Sequence, residues 1–236
     1  MDNPMVIITG TGRSGTKTLA RLLGGHHEYR VLYILDKYFS GADPHSDPFD
    51  TLEKRLTAVL DLHQGIDHRT FIDSSNLYIH YIDAVYRLNP SARFILTVRN
   101  GRDFVRSAFS RGWHGHASFG SVPKRDDPYF HRWEGMTPFE RVSWIWAYRN
   151  GKALEGLAGV PEGQKLVIRI EDIGDGKVLD ELESFAGLKV SNRALAGKRF
   201  NANAIQRLPA SGEWTESMNR QFDAIAGEMM EFFGYS

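Results

Sequence analysis

Val6-Ile-Ile-Thr-Gly-Thr-Gly-Arg-Ser-Gly-Thr-Lys-Thr-Leu19 joins a short β-branched run to a glycine-rich turn and then to a helical pattern. Gly10, Gly12 and Gly15 can take backbone dihedrals closed to other residues, so successive amide N–H groups can converge on one point. A helix that starts directly after such a turn aims its positive end at the same point, and the segment reads as a phosphate cradle. Ser14, Thr16 and Thr18 add hydroxyl donors, while Arg13 and Lys17 add positive charge.

The usual nucleotide triphosphatase loop reads G-x-x-x-x-G-K-[ST]. Gly10 and Gly15 have its spacing, but Thr16 stands where the lysine belongs and the lysine is displaced to Lys17. That departure weakens a kinase reading, which needs Lys on the β/γ-phosphates and a hydroxyl on magnesium, and leaves the phosphate site intact.

Working outward, further strands are expected at residues 29–35, 70–73, 93–98 and 165–170, each short, β-branched and bounded by polar turns. Between them, apolar residues recur at three- and four-residue intervals over 16–23, 51–62, 78–88, 101–111, 138–157, 178–186 and 216–233. Alternating strands and helices predict an α/β fold, a P-loop-type parallel sheet flanked by helices on both faces, with residues 1–236 as a single domain. In such sheets ligands gather at the carboxyl ends of the strands, where the glycine turn sits. Stretches 40–50 and 113–136, rich in Gly, Pro, Asp and His, are expected to lie over the site as lid or acceptor loops.

Composition narrows the function classes. Hydrophobic residues at 42% and charged residues at 25% are those of an ordinary globular domain. A formal net charge of zero gives no global basic field for nucleic acid. The absence of cysteine excludes disulfides, thiol redox chemistry and thiolate metal sites. No apolar run approaches the roughly 20 residues of a membrane span, and the N-terminus lacks a signal-peptide pattern, so a cytoplasmic protein is expected.

A second anion site is suggested by Phe94-Ile-Leu-Thr-Val-Arg-Asn-Gly-Arg-Asp-Phe-Val-Arg-Ser107, which runs from a strand straight into a helix. Arg99 leaves the strand end and Ser107 follows on the helix, so the pair can offer a bidentate cation and one directed hydroxyl. Arg13-Ser-Gly-Thr16 after a strand, followed by Arg99-Asn-Gly-Arg-Asp with Ser107, resembles the nucleotide site of the 3′-phosphoadenosine 5′-phosphosulfate (PAPS)-dependent sulfotransferases. The resemblance implies that residues 11–18 (Thr11, Gly12, Arg13, Ser14, Gly15, Thr16, Lys17, Thr18) hold the 5′-phosphosulfate, and that Arg99 and Ser107 hold the 3′-phosphate. It continues in Val167-Ile-Arg-Ile-Glu-Asp-Ile173, similar to the family's late strand. Arg207-Leu-Pro-Ala-Ser-Gly-Glu-Trp-Thr215 is similar to the loop over the adenosine 3′-phosphate, with Arg207 and Gly212 its candidates. Gly12-Arg13 in place of the Pro-Lys of cytosolic animal members is closer to the bacterial, tyrosylprotein and heparan sulfate branches.

The implied activity is transfer of a sulfuryl group from PAPS to a hydroxyl or amine of a small-molecule, carbohydrate or peptide acceptor, with adenosine 3′,5′-bisphosphate (PAP) as product and no metal. Arg13 is the leading candidate for stabilising charge on the leaving phosphate. Asp36, in a segment resembling the one where heparan sulfate sulfotransferases carry a Glu base, is the first candidate for the general base, and Asp73 the second. His114 and His116 form a third option. Trp144 and Trp146 fall in a helical pattern and are expected in the core, whereas Tyr129, Phe130 and Trp133 are expected to form an acceptor lid. The competing readings are a P-loop kinase of a small hydroxylated substrate and a non-catalytic nucleotide-binding protein.

Overall fold

The computed structural model describes residues 5–23, 71–116, 120–190, 193–196 and 205–235. The expected strand at 29–35, the helix at 51–62, the loop at 40–50 and Asp36 lie outside them. Strands β1 (Met5–Gly10), β2 (Phe71–Ser74), β3 (Arg93–Val98) and β4 (Lys165–Arg169) form one sheet in the order β2-β1-β3-β4, every pairing parallel. The register sets Ile7 beside both Asp73 and Phe94, and Leu96 beside Val167.

A parallel sheet needs cover on both faces, and the alternation of side chains along the strands supplies two separate cores. Met5, Ile7, Phe94, Leu96 and Val98 face one core with Tyr78, Tyr81, Trp144, Trp146 and Phe222. Val6, Ile8, Ile95 and Ile168 face the other with Leu19, Leu22, Leu23, Leu179 and Leu182. The helices behind these cores are α1 (Thr16–Leu23), α2 (Ile82–Leu88), α3 (Gly101–Phe109), α4 (Pro138–Leu157), α5 (Gly176–Ala186) and α6 (Glu216–Phe232).

Their limits follow from local chemistry. Helix α4 begins at Pro138 behind a capping box, in which Thr137 Oγ1 accepts from Glu140 N (3.2 Å) and Glu140 Oε2 accepts from Thr137 N (2.7 Å). Asn100 Oδ1 caps α3 by accepting from the amides of Arg102 (3.0 Å) and Asp103 (3.4 Å). That helix stops at Phe109, two residues before the expected end, because Gly112 turns left-handed at φ 73° and closes back onto Phe109 O. The helix expected over 78–88 is two pieces, a 3₁₀ segment Asn76–His80 and α2, broken at Tyr81. Tyr78 and Tyr81 stand three apart, the spacing at which 3₁₀ side chains eclipse, and both rings are buried in the same core. Strand β4 ends one residue early, where Ile170 enters a 3₁₀ turn tied by Arg169 Nε to Asp172 Oδ2 at 2.7 Å.

Candidate functional site

The glycine turn closes β1 at the carboxyl edge of the sheet. A Cβ on Gly10 would lie 2.4 Å from both Ser14 Oγ and Thr97 O, and one on Gly15 would lie 2.3 Å from Ile170. Gly12, Arg13 and Gly15 all have positive φ (76°, 55° and 91°), and Arg13 is the one non-glycine residue to do so among the described residues. A bulky side chain held there costs on the order of 1 kcal/mol, and such local strain tends to sit at sites of function. Thr16 opens α1 directly behind this run, with Lys17 exposed on its first turn.

The hydroxyls divide. Ser14, fully buried, points back into the loop, its Oγ 3.1 Å from Thr97 Oγ1, which itself donates to Thr9 O at 3.1 Å. Buried Thr11 donates to Gly12 O at 3.0 Å. Both side chains brace the turn from within, whereas the half-buried Thr16 and exposed Lys17 lie on its outer side.

The two anion motifs interlock. Arg99 leaves the end of β3 and donates from Nη1 to the main-chain carbonyl of Arg13 at 3.2 Å, with its Nη2 3.9 Å from Asp103. Arg13 Nε in turn donates to Ser107 Oγ at 3.0 Å. Ser107 therefore meets the first motif's arginine, and the carbonyl behind that arginine is held by Arg99. Burial, then the charge of Arg111, then that of Arg99 bring the Arg13 guanidinium down to about 10. It stays protonated at neutral pH, half-enclosed and with two further cations close by.

Two cations here escaped the sequence reading. Arg111 lies past the end of α3, close enough to weigh more on Arg13 than Arg99 does. Arg149 is buried on α4, with Nη1 on Thr11 O (2.8 Å), Nε on Gly120 O (2.7 Å) and Nη2 on Ser121 Oγ (2.9 Å). Its guanidinium lies 5.2 Å from the centre of the Trp113 ring, and Trp113 in turn covers Gly12, where a Cβ would come within 2.8 Å of it. Burial lowers Arg149 to about 10, so it too is charged at neutral pH. The signal was present: 142, 145, 146, 149, 153 and 157 form the buried stripe of α4, and an arginine in that stripe demands hydrogen-bond partners.

Asp73 is fully buried at the end of β2, where its carboxylate accepts from Tyr78 Oη. Burial and the neighbouring Asp73 push the Tyr78 phenol well above its ordinary value. His114 lies within the 3₁₀ turn Trp113–Gly115 and His116 directly follows it; burial, then Arg141, Arg207 and His116, lower His114. Arg207 is exposed, with its amide on Ser110 Oγ at 2.9 Å, directly after the end of the helix that carries Ser107. Gly212 sits in the 3₁₀ turn Ser211–Glu213, where a Cβ would meet nothing within 4 Å.

Trp144 stacks on Tyr148 at 4.5 Å and Trp146 packs toward Phe222, both in the core as expected. The expected lid role of Trp133 is corrected: it is buried edge-on against Trp144 at 5.1 Å. A large ring flanked by other aromatic rings removes more apolar area from water inside the core than over a cleft. Tyr129 and Phe130 keep partial exposure.

Among the described residues, no group of three or more His, Asp or Glu is placed to hold a metal ion, and no helix is long and apolar enough to cross a membrane.

No protein-family model matches the chain, and no curated protein matches it significantly in sequence. Solved structures do. The sulfotransferase domain of the Synechococcus PCC 7002 olefin synthase superposes with a TM-score of 0.59 at 17% identity, covering 99% of this chain and 95% of that one. A sulfotransferase from Alicyclobacillus acidocaldarius gives 0.57 at 16% identity, over 100% and 98%. Mouse sulfotransferase SULT7A1, solved in complex with PAP, gives 0.53 at 15% identity, over 98% and 86%. The four-stranded parallel sheet with helices on both faces is thus the sulfotransferase fold.

Proposed function

We propose that this protein is a PAPS-dependent sulfotransferase. The observation that carries the proposal is the interlock of Arg13, Ser107 and Arg99, which joins a positive-φ cradle on β1 to a second cationic site on β3. A ligand with two separate phosphate ends matches two linked anion sites, and PAPS is such a ligand. The bisphosphate in the mouse structure of the same fold supports the same donor class.

Bound there, PAPS supplies a sulfuryl group on a phosphate leaving group. The acceptor oxygen or nitrogen bonds to sulfur as the bond from sulfur to the 5′-phosphate oxygen breaks. The electron pair departs with the phosphate and the acceptor proton passes to a base. Arg13, Lys17, the hydroxyls of Thr16 and Thr18 and the N-terminus of α1 stabilise the developing phosphate charge. Arg99 and Ser107, with Arg207 as a further cation from the C-terminal loop, anchor the 3′-phosphate. Asp36 is proposed as the general base. Asp73, enclosed and hydrogen-bonded to Tyr78, suits the alternative part of fixing the end of β2 beside the cradle.

Thermal unfolding with PAP, set against ATP plus magnesium, tests the donor, because a ligand that binds only the folded state raises the melting temperature. Selective stabilisation by PAP, followed by transfer of labelled sulfate from PAPS to members of a hydroxyl and amine acceptor panel, is the expected result. Selective stabilisation by ATP with magnesium would return the chain to the kinases. Tight PAP binding with no transfer to any acceptor would make it a nucleotide-binding protein.

A further inference from the structure

We infer that Arg149 is a positioning residue that holds the glycine turn in its anion-binding shape and ties that shape to the segment bearing Trp113, Gly120 and Ser121. The inference deepens the proposed function and rests on it for the identity of the nucleotide. Its structural content concerns the turn alone.

Arg149 meets the turn at the peptide between Thr11 and Gly12. No peptide bond among the described residues is cis, and in a trans peptide the C=O and the N–H point in opposite directions. Arg149 Nη1 holds the Thr11 carbonyl at 2.8 Å on the α4 side, so the Gly12 N–H is turned the other way, away from Arg149. Gly12 can adopt either sign of φ at little cost, and without a fixed carbonyl this peptide is free to flip. Arg149 removes that freedom at the first amide of the cradle.

The same guanidinium spends its other two edges on a different part of the chain. Nε donates to Gly120 O and Nη2 to Ser121 Oγ, while its face lies near Trp113, whose ring covers Gly12 from outside. Among the described residues its partners are neutral oxygens and a ring, with no carboxylate. A buried cation held this way keeps its full positive field, directed at the turn, where an ion pair would have cancelled it. A planar fork with three fixed donor directions is required; an ammonium on a flexible stem offers one charge centre and cannot span three acceptors on two segments.

The test compares wild type with Arg149→Lys, Arg149→Met and Ser121→Ala. Melting temperature reports folding, calorimetric titration with PAP reports affinity, and amide hydrogen exchange reports the turn and the Trp113–Ser121 stretch separately. In wild type, PAP is expected to slow exchange in both regions. Arg149→Lys is expected to fold, to bind PAP about tenfold or more weakly, as befits a lost charge-assisted hydrogen bond, and to lose the protection over Trp113 to Ser121. Ser121→Ala removes one of the three acceptors of Arg149 without touching the turn; it is expected to speed exchange around Trp113 while changing PAP affinity less than about threefold. Folded Arg149 variants with wild-type affinity and wild-type protection in both regions would overturn the inference. Should wild type itself not bind PAP, the donor assignment falls, yet faster exchange of residues 10–16 in ligand-free Arg149→Met would still uphold the part played by Arg149. Unchanged exchange there would sink it. If Arg149→Met does not fold, Arg149→Lys carries the same comparison.

Discussion

Replacing Arg13 with methionine is expected to make the ligand-free protein more stable and the enzyme nearly inactive. Methionine replaces the aliphatic stem of the arginine without its guanidinium, so the change removes the charge and the hydrogen bond to Ser107 together. A guanidinium lowered to about 10 carries a penalty on its charged form of about 3.4 kcal/mol before screening. The side chain is half-buried, and solvent screening reduces that figure to about 1–2 kcal/mol. Losing the hydrogen bond to Ser107 returns about 0.5–1 kcal/mol in the other direction. The net gain is about 0–1.5 kcal/mol, or a rise in melting temperature of up to about 6 °C for a chain of 236 residues. A base whose folded pKa is depressed destabilises the fold while it is charged, so at neutral pH its removal stabilises. Transfer from PAPS should meanwhile fall about 10²- to 10³-fold, as on removal of one oxyanion donor. Differential scanning calorimetry of the apo protein and a labelled-sulfate transfer assay read the two arms. A melting temperature lowered by several degrees would show that the cationic cluster does not strain the ligand-free fold. Unimpaired transfer would remove Arg13 from the chemistry.

Four further outcomes are expected. Arg99→Ala should raise the KM for PAPS and the Kd for PAP well before it lowers kcat, in contrast to Arg13→Ala; equal effects of the two on both constants would defeat that division of labour. Asp36→Asn should abolish transfer while leaving PAP titrations unchanged, and near-normal turnover would pass the base to another group. Gly15→Ala, at φ 91° and 2.3 Å from Ile170, should cost about 1–3 kcal/mol in urea unfolding, with Ile170→Ala restoring only part of it because the dihedral remains. Burial, with Arg149, Lys124 and Lys152 nearby, holds His80 well below 6.5. The unfolded chain then binds the extra proton, so stability should fall as pH drops below about 6.5, by at most about 1.4 kcal/mol per pH unit. His80→Gln should flatten that slope between pH 6.5 and 5, and an unchanged slope would assign it to other groups.

Most of the scaffold could be read from the chain because its signals are local. The buried run before Gly10, the strand at 93–98 and the Thr137-Pro-Phe-Glu140 start of α4 each reside in a few consecutive residues. What was not legible depends on partners far along the sequence. Ser14 looks like a phosphate donor until Thr97 arrives beside it from β3, and Trp133 looks like a lid until Trp144 lies against its edge. Arg99 and Ser107 share one motif, yet each reaches Arg13, because the end of β3 sits beside the end of β1 in the sheet. Arg149 was hidden for the opposite reason, since a stripe of apolar residues draws the eye past the one charged member it contains.

The parallel register also fixes when the cradle can exist. Strand β1 carries the glycine turn at the start of the chain, but its neighbours in the sheet are residues 71–74 and 93–98. At about 5–20 residues per second of synthesis, β1 waits about 5–20 s for β3, and longer for the helix that supplies Arg149. Until then the turn has no Thr97 behind Ser14, no Ser107 for Arg13 and no guanidinium on Thr11 O. A ligand of the proposed cradle would therefore join only a chain whose distant segments have already met.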